Sequence, residues 1–223
     1  MSRVSLRPEY SAQRLSCPSN PFVQRAIRAM ESLEGEKLSL WRIADQGCGK
    51  LRHVALLSSV SRELFCVDTE RQLKAPHRDG QTEYTIPRYL ELWTVRSGVR
   101  CRALTDQEFA RAGLFLDAVF CVCVLDVVPN TIRPHIVSAA ARNIRKGGYY
   151  AIIIPRNDSS ILRRCQPANA WRDGHVFPHQ GIHTFFRNFS NHRPVIELIE
   201  RHGFELSADL SRYRQICCLF RRL

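Results

Sequence analysis

The sequence predicts an α/β fold in which a mostly parallel sheet is covered by helices on both faces. Short apolar runs alternate along the chain with segments whose apolar residues recur at helical spacing. The runs are almost continuously apolar, which indicates strands that are buried on both sides, as in a parallel sheet. The chain has 223 residues, of which 44% are hydrophobic and 24% charged, so its length and composition fit one globular domain.

The first predicted elements surround a glycine turn. A helix is predicted to begin at Pro21, a residue favoured in the first helical turn, and to end near Gly35. The apolar run LSLWRIAD (38–45) predicts a strand that leads into the turn, and helical spacing predicts a helix over 52–61. The run ELFCVDTE (63–70) predicts the second strand, which closes on an acid as the first one does.

The same alternation continues to the end of the chain. The later predicted elements are a helix (85–98), a third strand (99–104), a fourth strand (116–128), a helix (133–148), a fifth strand (149–155), a helix (194–204) and a final strand (212–222). The stretch 157–191 is too long for a simple connection, which indicates a partly structured cap or a binding loop. Ligands of such sheets bind beyond the carboxyl ends of the strands, so a site is expected at the turn 46–50.

The nine cysteines favour buried thiols over a disulfide framework or a zinc site. They lack Cys-x-x-Cys spacing, and most of them lie in apolar runs, as small hydrophobic residues do in a reducing compartment. The cysteines of these runs are Cys66, Cys101, Cys121, Cys123, Cys217 and Cys218. We therefore expect reduced thiols and no metal.

No apolar stretch of the sequence is suited to a membrane. The longest one, 113–128, is interrupted by Asp117 and Asp126, and no apolar run follows the arginines near the first residue. We therefore expect a cytoplasmic protein without membrane contact. The sequence gives no oligomeric state.

The chain is strongly basic, with a formal net charge of +12 at pH 7. Such a balance favours a polyanionic partner such as nucleic acid, but the excess is spread along the chain rather than gathered in one segment. Only four of the 33 basic residues are lysine, and arginine is the better fork for phosphate. A functional basic surface and an ordinary solvated exterior therefore both stay open.

The stretch RIADQGCGKL (42–51) holds Gly47 and Gly49 two residues apart. Glycine occurs both in tight turns and where backbone must approach a ligand, so this spacing alone does not distinguish a turn from a binding loop. Asp68 follows Asp45 at close to the roughly 20 residues that separate a glycine turn from the ribose-binding acid of dinucleotide-type folds. The pair therefore points to a ligand with a ribose.

Two further polar residues, Thr105 and Asp106, follow the third predicted strand, where they can meet an exocyclic amine. A carboxylate such as that of Asp68 can accept hydrogen bonds from both hydroxyls of a ribose. Together these residues suit an adenosine-containing ligand. Because nicotinamide enzymes use the same architecture, the fold alone does not choose the chemistry.

In order along the chain, the segments DQGCGKL, VDTE, LTD, LDAVFCVCVLDVVP, IRKGGYYAIIIP, HGFEL and ICCLFRR resemble the motif series of class I S-adenosylmethionine-dependent methyltransferases. The resemblance covers about residues 40–223. It implies a seven-stranded, mostly parallel, Rossmann-like sheet with an N-terminal helical extension (1–39), a methyltransferase domain (40–223) and a substrate cap inserted after strand five (157–191). It also implies an enzyme, a transferase, with S-adenosylmethionine as its cofactor.

The resemblance also implies which residues bind the cofactor. They are Asp45, Gly47, Cys48, Gly49, Asp68, Thr69, Thr105, Asp106 and Val124. Asp45, Gly47 and Gly49 would line the methionine moiety, Asp68 would hold the ribose, and Asp106 would face the adenine amine.

Two segments can be compared in detail with the motifs of the family. Leu51 stands where the family's Gly-x-Gly-x-Gly pattern has its third glycine. The segment Leu-Asp-Val-Val (125–128) is similar to that of small-molecule methyltransferases, and it lacks the Asn/Asp-Pro-Pro-aromatic motif and the Pro-Cys nucleophile of enzymes that methylate DNA. We therefore expect a small-molecule acceptor.

Two alternatives to that expectation stay open. One is a methyltransferase of RNA or another polyanion, and the other is a non-catalytic binding module that keeps the fold. The arginines that would serve the first alternative are Arg156, Arg163, Arg164, Arg172 and Arg187.

The candidate residues for the acceptor lie mostly in the predicted cap. His175, His183 and Asp173 are candidates for an acceptor contact or a base, with a structural hydrogen bond or a surface ion pair as the alternative. Asp126 and Arg156 are further candidates to face the acceptor. A base is needed only if the acceptor is protonated at the working pH.

The same stretch carries three histidines at four-residue spacing, which is typical of metal-binding helices. Pro178 and Gly181 break that helix, and no carboxylate or thiolate completes a ligand set, so no metal site is expected. Phe185, Phe186 and Phe189 either stack on a planar substrate or form a small satellite core.

Overall fold

A seven-stranded sheet forms the centre of the fold. The structure, a computed structural model, describes residues 20–35, 41–79, 82–156, 162–163, 165–179, 182–212 and 214–223. The helices are α1 (Asn20–Glu34), α2 (Val54–Ser58), α3 (Glu70–Lys74), α4 (Ile86–Ser97), α5 (Asp106–Ala112), α6 (Arg133–Asn143) and α7 (Arg193–Glu200). The strands are β1 (Trp41–Gln46), β2 (Ser61–Asp68), β3 (His77–Asp79), β4 (Thr82–Tyr84), β5 (Arg100–Thr105), β6 (Leu116–Val122), β7 (Ile144–Pro155), β8 (Ala170–Trp171), β9 (Gly174–His179), β10 (Ile182–Phe186), β11 (Phe204–Asp209) and β12 (Gln215–Arg222).

The main sheet has the strand order β11-β12-β7-β6-β1-β2-β5. Neighbouring strands are parallel except at β12, which runs antiparallel to both β7 and β11. This confirms the predicted mostly parallel, seven-stranded sheet. The order reverses between β1 and β6, because the chain moves outward through β2 and β5 and then returns to β6. In open α/β sheets, ligands bind beyond the carboxyl ends of the strands at such a switch point.

Helices cover both faces of the sheet, as the sequence predicts. On one face, α1, α2 and α4 pack against strand residues such as Ile43 and Phe120. On the other face, α5, α6 and α7 pack against Ala44 and Val119. Consecutive residues of one strand belong to different core layers because successive side chains of a strand point to opposite faces.

Helix α1 is part of the first of these core layers. Its buried residues there are Val23, Ala26, Ile27 and Met30. Their spacing places them on one side of the helix, and the larger ones, Val23, Ile27 and Met30, each contribute roughly 1.5–3 kcal/mol to folding. The helix lies within a residue of the bounds that the sequence predicts, and the division of the chain at residue 39 stays a prediction.

Several element boundaries differ from the sequence prediction, and the largest differences lie at the ends of β6 and α6. The predicted fourth strand, 116–128, ends at Val122, because Cys123 takes a φ of +56° and the chain turns there. The predicted helix 133–148 ends at Asn143, and the next residue already has the extended conformation of β7. Apolar residues continue across the first boundary and mostly polar residues across the second, so hydrophobicity alone does not mark either of them.

Three groups of short strands were not predicted. They are the β3–β4 hairpin, the edge strand β11, and a separate antiparallel sheet of order β10-β9-β8. That small sheet lies within the predicted cap 157–191, of which residues 157–161, 164 and 180–181 are outside the described residues. The strands are short and mix polar with apolar residues, so they lack the continuous apolar pattern of the main sheet. The role of this region as a cap stays a prediction.

Two expectations from composition can be compared with the structure. Buried free thiols are present, as predicted, at Cys66, Cys101, Cys121, Cys217 and Cys218, and Cys48 is a further buried free thiol. Cys123 departs from the expected reduced thiol, because it is disulfide-bonded. Among the described residues, no helix has both the length and the apolar character needed to cross a membrane.

Candidate functional site

Loops at the carboxyl ends of β1, β2, β5 and β6 enclose a cavity of about 310 Å³. Six of the residues predicted to bind the cofactor lie in its wall: Gly47, Gly49, Asp68, Thr69, Asp106 and Val124. Most of the remaining wall is apolar and comes from α5, α6 and the segment 123–132. The cavity therefore lies at the switch point of the sheet and has a size found for small-molecule sites, which span roughly 300–1,000 Å³.

The glycine turn after β1 is folded against the end of β2. The backbone N–H groups of Gly47 and Cys48 both donate to the carbonyl of Val67, over 2.8 and 3.0 Å. Gly47 has a φ of +82°, and a Cβ on it would lie 2.2 Å from Cγ2 of Val124, just beyond β6. Only glycine fits both this backbone conformation and this space. The turn is therefore packed between the ends of two strands.

Asp68, the last residue of β2, joins the turn to the cavity. Its Oδ2 accepts a 2.8 Å hydrogen bond from the N–H of Gly49, and its Oδ1 accepts one of 2.8 Å from the N–H of Thr69. Burial raises the pKa of Asp68 to about 6, although these two backbone N–H groups oppose the rise. Each carboxylate oxygen has two lone pairs, so the group can still accept hydrogen bonds from a ligand in the cavity.

The residues after β5 contribute Asp106 and Gln107 to the wall. Thr105, which is outside the wall, is the N-cap of α5: its hydroxyl accepts a hydrogen bond from the N–H of Glu108, whose carboxylate accepts one from the N–H of Thr105. This capping box fixes Asp106 as the first residue of the helix. Asp106 is close enough to Asp68 for its charge to add to the rise in the Asp68 pKa.

Asp45 and Cys48, both in the predicted set, are buried outside the cavity wall. Neither carboxylate oxygen of Asp45 has a hydrogen-bond partner in the described part of the chain. Burial, together with the charge of Asp68, raises the pKa of Asp45 to about 7. A hydrogen bond with Cys66 and then burial raise the pKa of the Cys48 thiol. Gln46 lies in the wall instead, and its side chain bonds to a carbonyl of α6.

Asp173 lies in the turn between β8 and β9, where other residues of the chain form an ion pair and hydrogen bonds with it. Its carboxylate pairs with the guanidinium of Arg133 and accepts a 3.1 Å hydrogen bond from the N–H of Asn130. Its carbonyl accepts a hydrogen bond from Arg187, whose own N–H donates to the carbonyl of the fully buried Asp126 over 2.7 Å. These contacts join the small sheet to the start of α6, outside the cavity wall.

His175 and His183 lie on neighbouring strands but on opposite faces of the small sheet. His175 is opposite Phe186, and His183 is opposite Pro178. Residues opposite each other in a ladder share a face, whereas successive residues alternate between faces. His175 is half-buried and His183 is exposed. The structure therefore does not bring these two histidines together with Asp173.

The three phenylalanines of this region are buried. Phe186 packs with Phe177 in a small cluster, and Phe189 belongs to the core layer of α5, α6 and α7. Phe185 meets Trp171 edge to face, with 5.9 Å between the ring centroids. These contacts favour the satellite core rather than a stacking surface for a substrate.

Part of the cavity wall comes from α6 and was not predicted from the sequence. His135, in the first turn of the helix, lines the cavity together with Ile136 and Ala139. Their spacing is helical and indicates one shared face. The same spacing is found where a helix covers a core, so the sequence alone does not reveal that this face borders a cavity.

Comparison with known proteins agrees with this architecture. No family model matches the chain. A curated relative, the uncharacterized protein YmfD of Escherichia coli (strain K12), is 25% identical over 218 residues, which cover 95% of this chain and 90% of YmfD.

Two solved structures illustrate the similarity of fold. One is the 1,6-didemethyltoxoflavin-N1-methyltransferase of Burkholderia thailandensis with bound 1,6-didemethyltoxoflavin and S-adenosylhomocysteine, at a TM-score of 0.60 and 15% identity, covering 90% of this chain and 78% of that one. The other is the magnesium protoporphyrin IX methyltransferase of Synechocystis PCC 6803 with bound S-adenosylhomocysteine, at a TM-score of 0.58 and 16% identity, covering 91% of this chain and 88% of that one. The chain therefore has the Rossmann-like fold of class I S-adenosylmethionine-dependent methyltransferases.

Proposed function

From this fold and this cavity, we propose that the chain is an S-adenosylmethionine-dependent methyltransferase that methylates a small molecule. The observation that carries the proposal is the carboxylate of Asp68, which lies in the cavity wall and accepts the N–H of Gly49. An acid at the end of the second strand, beside a glycine turn, is the arrangement that holds a ribose in nucleotide-binding sheets. The two similar enzymes with bound S-adenosylhomocysteine support the choice of cofactor.

The residues of the cavity fit an adenosine-containing cofactor. Asp68 would accept hydrogen bonds from the ribose hydroxyls, and Asp106 would accept one from the adenine amine. Apolar wall residues such as Phe109 and Ile136 offer a surface for the base. The backbone at Gly47 would approach the amino-acid part, since glycine leaves no side chain in the way.

The cofactor, when bound, supplies a methyl group on a sulfonium, which is already an activated electrophile. The chain then has three tasks: to hold the ribose and base, to align the acceptor and to exclude water. The apolar segment 123–132 and α6 serve the last task, because they form most of the wall that is not polar. His175, His183 and Asp173 stay predictions for the acceptor site, and Asp173 suits a base least because Arg133 pairs with it.

A small molecule is the acceptor that the observations favour. The two similar enzymes are named for small molecules, 1,6-didemethyltoxoflavin and magnesium protoporphyrin IX. Of the arginines that would serve a polyanion, Arg156 donates to a backbone carbonyl and Arg172 to a threonine hydroxyl, each over 2.7 Å, and Arg187 also bonds to a carbonyl. Arg163 is exposed, and Arg164 lies outside the described residues. Guanidinium groups held within the chain have fewer donors left for phosphates.

Replacing Asp68 tests the cofactor site. Asp68→Ala removes charge-assisted hydrogen bonds, so we expect it to weaken binding of S-adenosylhomocysteine by ~2 to 4 kcal/mol, measured by calorimetry. The matched control is Asp209→Ala, at an aspartate of β11 that faces His192, and it should bind as the wild type does. Wild-type affinity in a folded Asp68→Ala protein would remove Asp68 from the site.

The acceptor can be sought with isotopically labelled cofactor and fractionated cell extract. We expect the label to appear in a small-molecule fraction. Label on RNA would favour the polyanion alternative instead. Binding of S-adenosylhomocysteine without transfer of label to any fraction would favour a non-catalytic module.

A further inference from the structure

The backbone N–H and the backbone carbonyl of Gly49 are both held by side chains from one short segment. The N–H of Gly49 donates to Oδ2 of Asp68 over 2.8 Å, and its carbonyl accepts a 3.1 Å hydrogen bond from Nε2 of Gln72. Gly49 has a φ of +54° and no side chain of its own to restrict it. These two contacts therefore restrict the conformation of Gly49 within the turn.

The start of α3 fixes where Gln72 lies. Thr69 is the N-cap of this helix, and its hydroxyl accepts a 3.3 Å hydrogen bond from the N–H of Gln72. His77, at the start of β3, has its Nε2 3.3 Å from the carbonyl oxygen of Gln72. Gln72 is thus fixed on its backbone by two neighbours while its side chain reaches back to the turn.

We propose that Gln72 is a positioning residue for cofactor binding, an inference that rests on the proposed function. Gln72 is outside the cavity wall, so it acts through Gly49 rather than on the ligand. By holding the carbonyl of Gly49, it keeps the N–H of the same residue aimed at Asp68. The turn then keeps its shape when the carboxylate also binds the ribose, and less ordering is left to occur on binding.

Substitution of Gln72 by residues of similar length without a donor tests the proposal. Gln72→Met should bind S-adenosylhomocysteine about 3- to 10-fold more weakly than the wild type, measured by calorimetry. Gln72→Glu at neutral pH also lacks the donor and should lose at least as much affinity, which provides a second variant if the first does not fold. The control is Gln24→Met on the exposed side of α1, which should bind as the wild type does.

The carbonyl carbon of Gly49 gives a second readout that reports the hydrogen bond itself. Loss of a hydrogen bond returns electron density to the carbonyl, so the ¹³C resonance of Gly49 should move upfield in Gln72→Met and stay in place in Gln24→Met. Unchanged affinity, or weaker affinity without that shift, would overturn the role of Gln72. Failure of the wild type itself to bind S-adenosylhomocysteine would instead overturn the proposed function.

Discussion

Gly47 determines how closely the turn after β1 approaches the end of β6. Its φ of +82° lies in the left-handed region, and a Cβ would come within 2.2 Å of Cγ2 of Val124. A backbone conformation and a packing contact therefore both require glycine at this position. The two requirements can be separated by experiment, because other glycines of the chain have a positive φ without a close contact at the position of the Cβ.

We expect Gly47→Ala to lower the free energy of unfolding by ~3 kcal/mol, measured by denaturant titration. About 1 to 2 kcal/mol comes from the left-handed conformation and the rest from overpacking. The control is Gly98→Ala, at a φ of +73° with nothing within 4 Å of the added Cβ, which should show the conformational part alone. Val124→Ala in the Gly47→Ala background should restore the packing part, and equal losses in the two glycine variants would contradict the close contact.

At the residue scale, the sequence predicts the positions of the turn better than the direction of its side chains. Gly47, Asp68 and the start of α5 meet at the cavity because each lies at or directly after the end of a strand, which spacing reveals. Asp45 is buried and Gln46 lies in the wall, a choice of face that a continuously buried strand does not show in its sequence. Leu51 keeps a φ of +57° where the family has glycine.

At the element scale, one ion pair joins the small sheet of β8, β9 and β10 to the main domain. Arg133, in the first turn of α6, is 6% exposed, pairs with Asp173 and donates to the carbonyl of Leu125 over 2.7 Å. Its guanidinium carbon also lies 5.1 Å from the ring centroid of Phe189. A buried arginine left without its carboxylate is strongly unfavourable, so the pair holds the two parts together.

We expect Asp173→Ala to loosen the small sheet. Loss of the carboxylate leaves Arg133 buried without its partner, so the free energy of unfolding should fall by about 2 to 4 kcal/mol, and backbone amides of 170–186 should exchange hydrogen faster than those of the main sheet. Hydrogen exchange followed by mass spectrometry measures this. The control is Gln166→Ala, at an exposed residue shortly before β8, which should change exchange little. Uniform exchange across the chain in Asp173→Ala would contradict an anchoring role.

Elements with long apolar runs could be predicted from the sequence, and short ones could not. The strands from β1 to β7 that belong to the main sheet match apolar runs, because burial on both faces demands them. The small sheet and β11 carry mixed residues, and their strands pair antiparallel with strands that are adjacent along the chain, a pairing that needs no continuous apolar run. The antiparallel direction of β12 could not be predicted from composition, because a continuous apolar run does not indicate the direction of a strand within the sheet.

At the scale of the whole molecule, many arginines serve the fold rather than a partner. Described arginines that donate to backbone carbonyls are Arg25, Arg42, Arg133, Arg142, Arg145, Arg156, Arg187, Arg221 and Arg222. The guanidinium offers five donors in a rigid fork, which suits it to carbonyls at helix and strand ends better than lysine. The preference for arginine over lysine therefore has a structural explanation that does not need nucleic acid.

The buried carboxyl of Asp45 should make the stability of the whole protein depend on pH. Its pKa in the fold, about 7, is above the ordinary value of 3.8. The stability that the protonated carboxyl contributes is therefore fully present below about pH 4, and it is lost as the pH rises through about 7. Asp45→Asn keeps the shape and removes the titration, so its gain in free energy of unfolding should be larger at about pH 8 than at about pH 5 by ~2 kcal/mol.

Denaturant unfolding at both pH values measures that difference. Asp117→Asn is the control, because the carboxylate of Asp117 pairs with Arg145 and accepts the N–H of Arg42. It should lower stability at both pH values rather than raise it. A gain for Asp45→Asn that is the same at both pH values would show that Asp45 does not titrate in this range.

The position of β12 bears on the order in which the sheet can be completed during folding. It is the last strand along the chain, yet it lies between β7 and β11 in the sheet. Until β12 joins the sheet, β7 has an open hydrogen-bonding edge and β11 lacks the strand with which it pairs, and chains pair wrongly at open edges of this kind. A folding intermediate without β12 would hold five strands of the sheet and be unable to complete it, so the docking of β12 is the step that ends its exposure to aggregation.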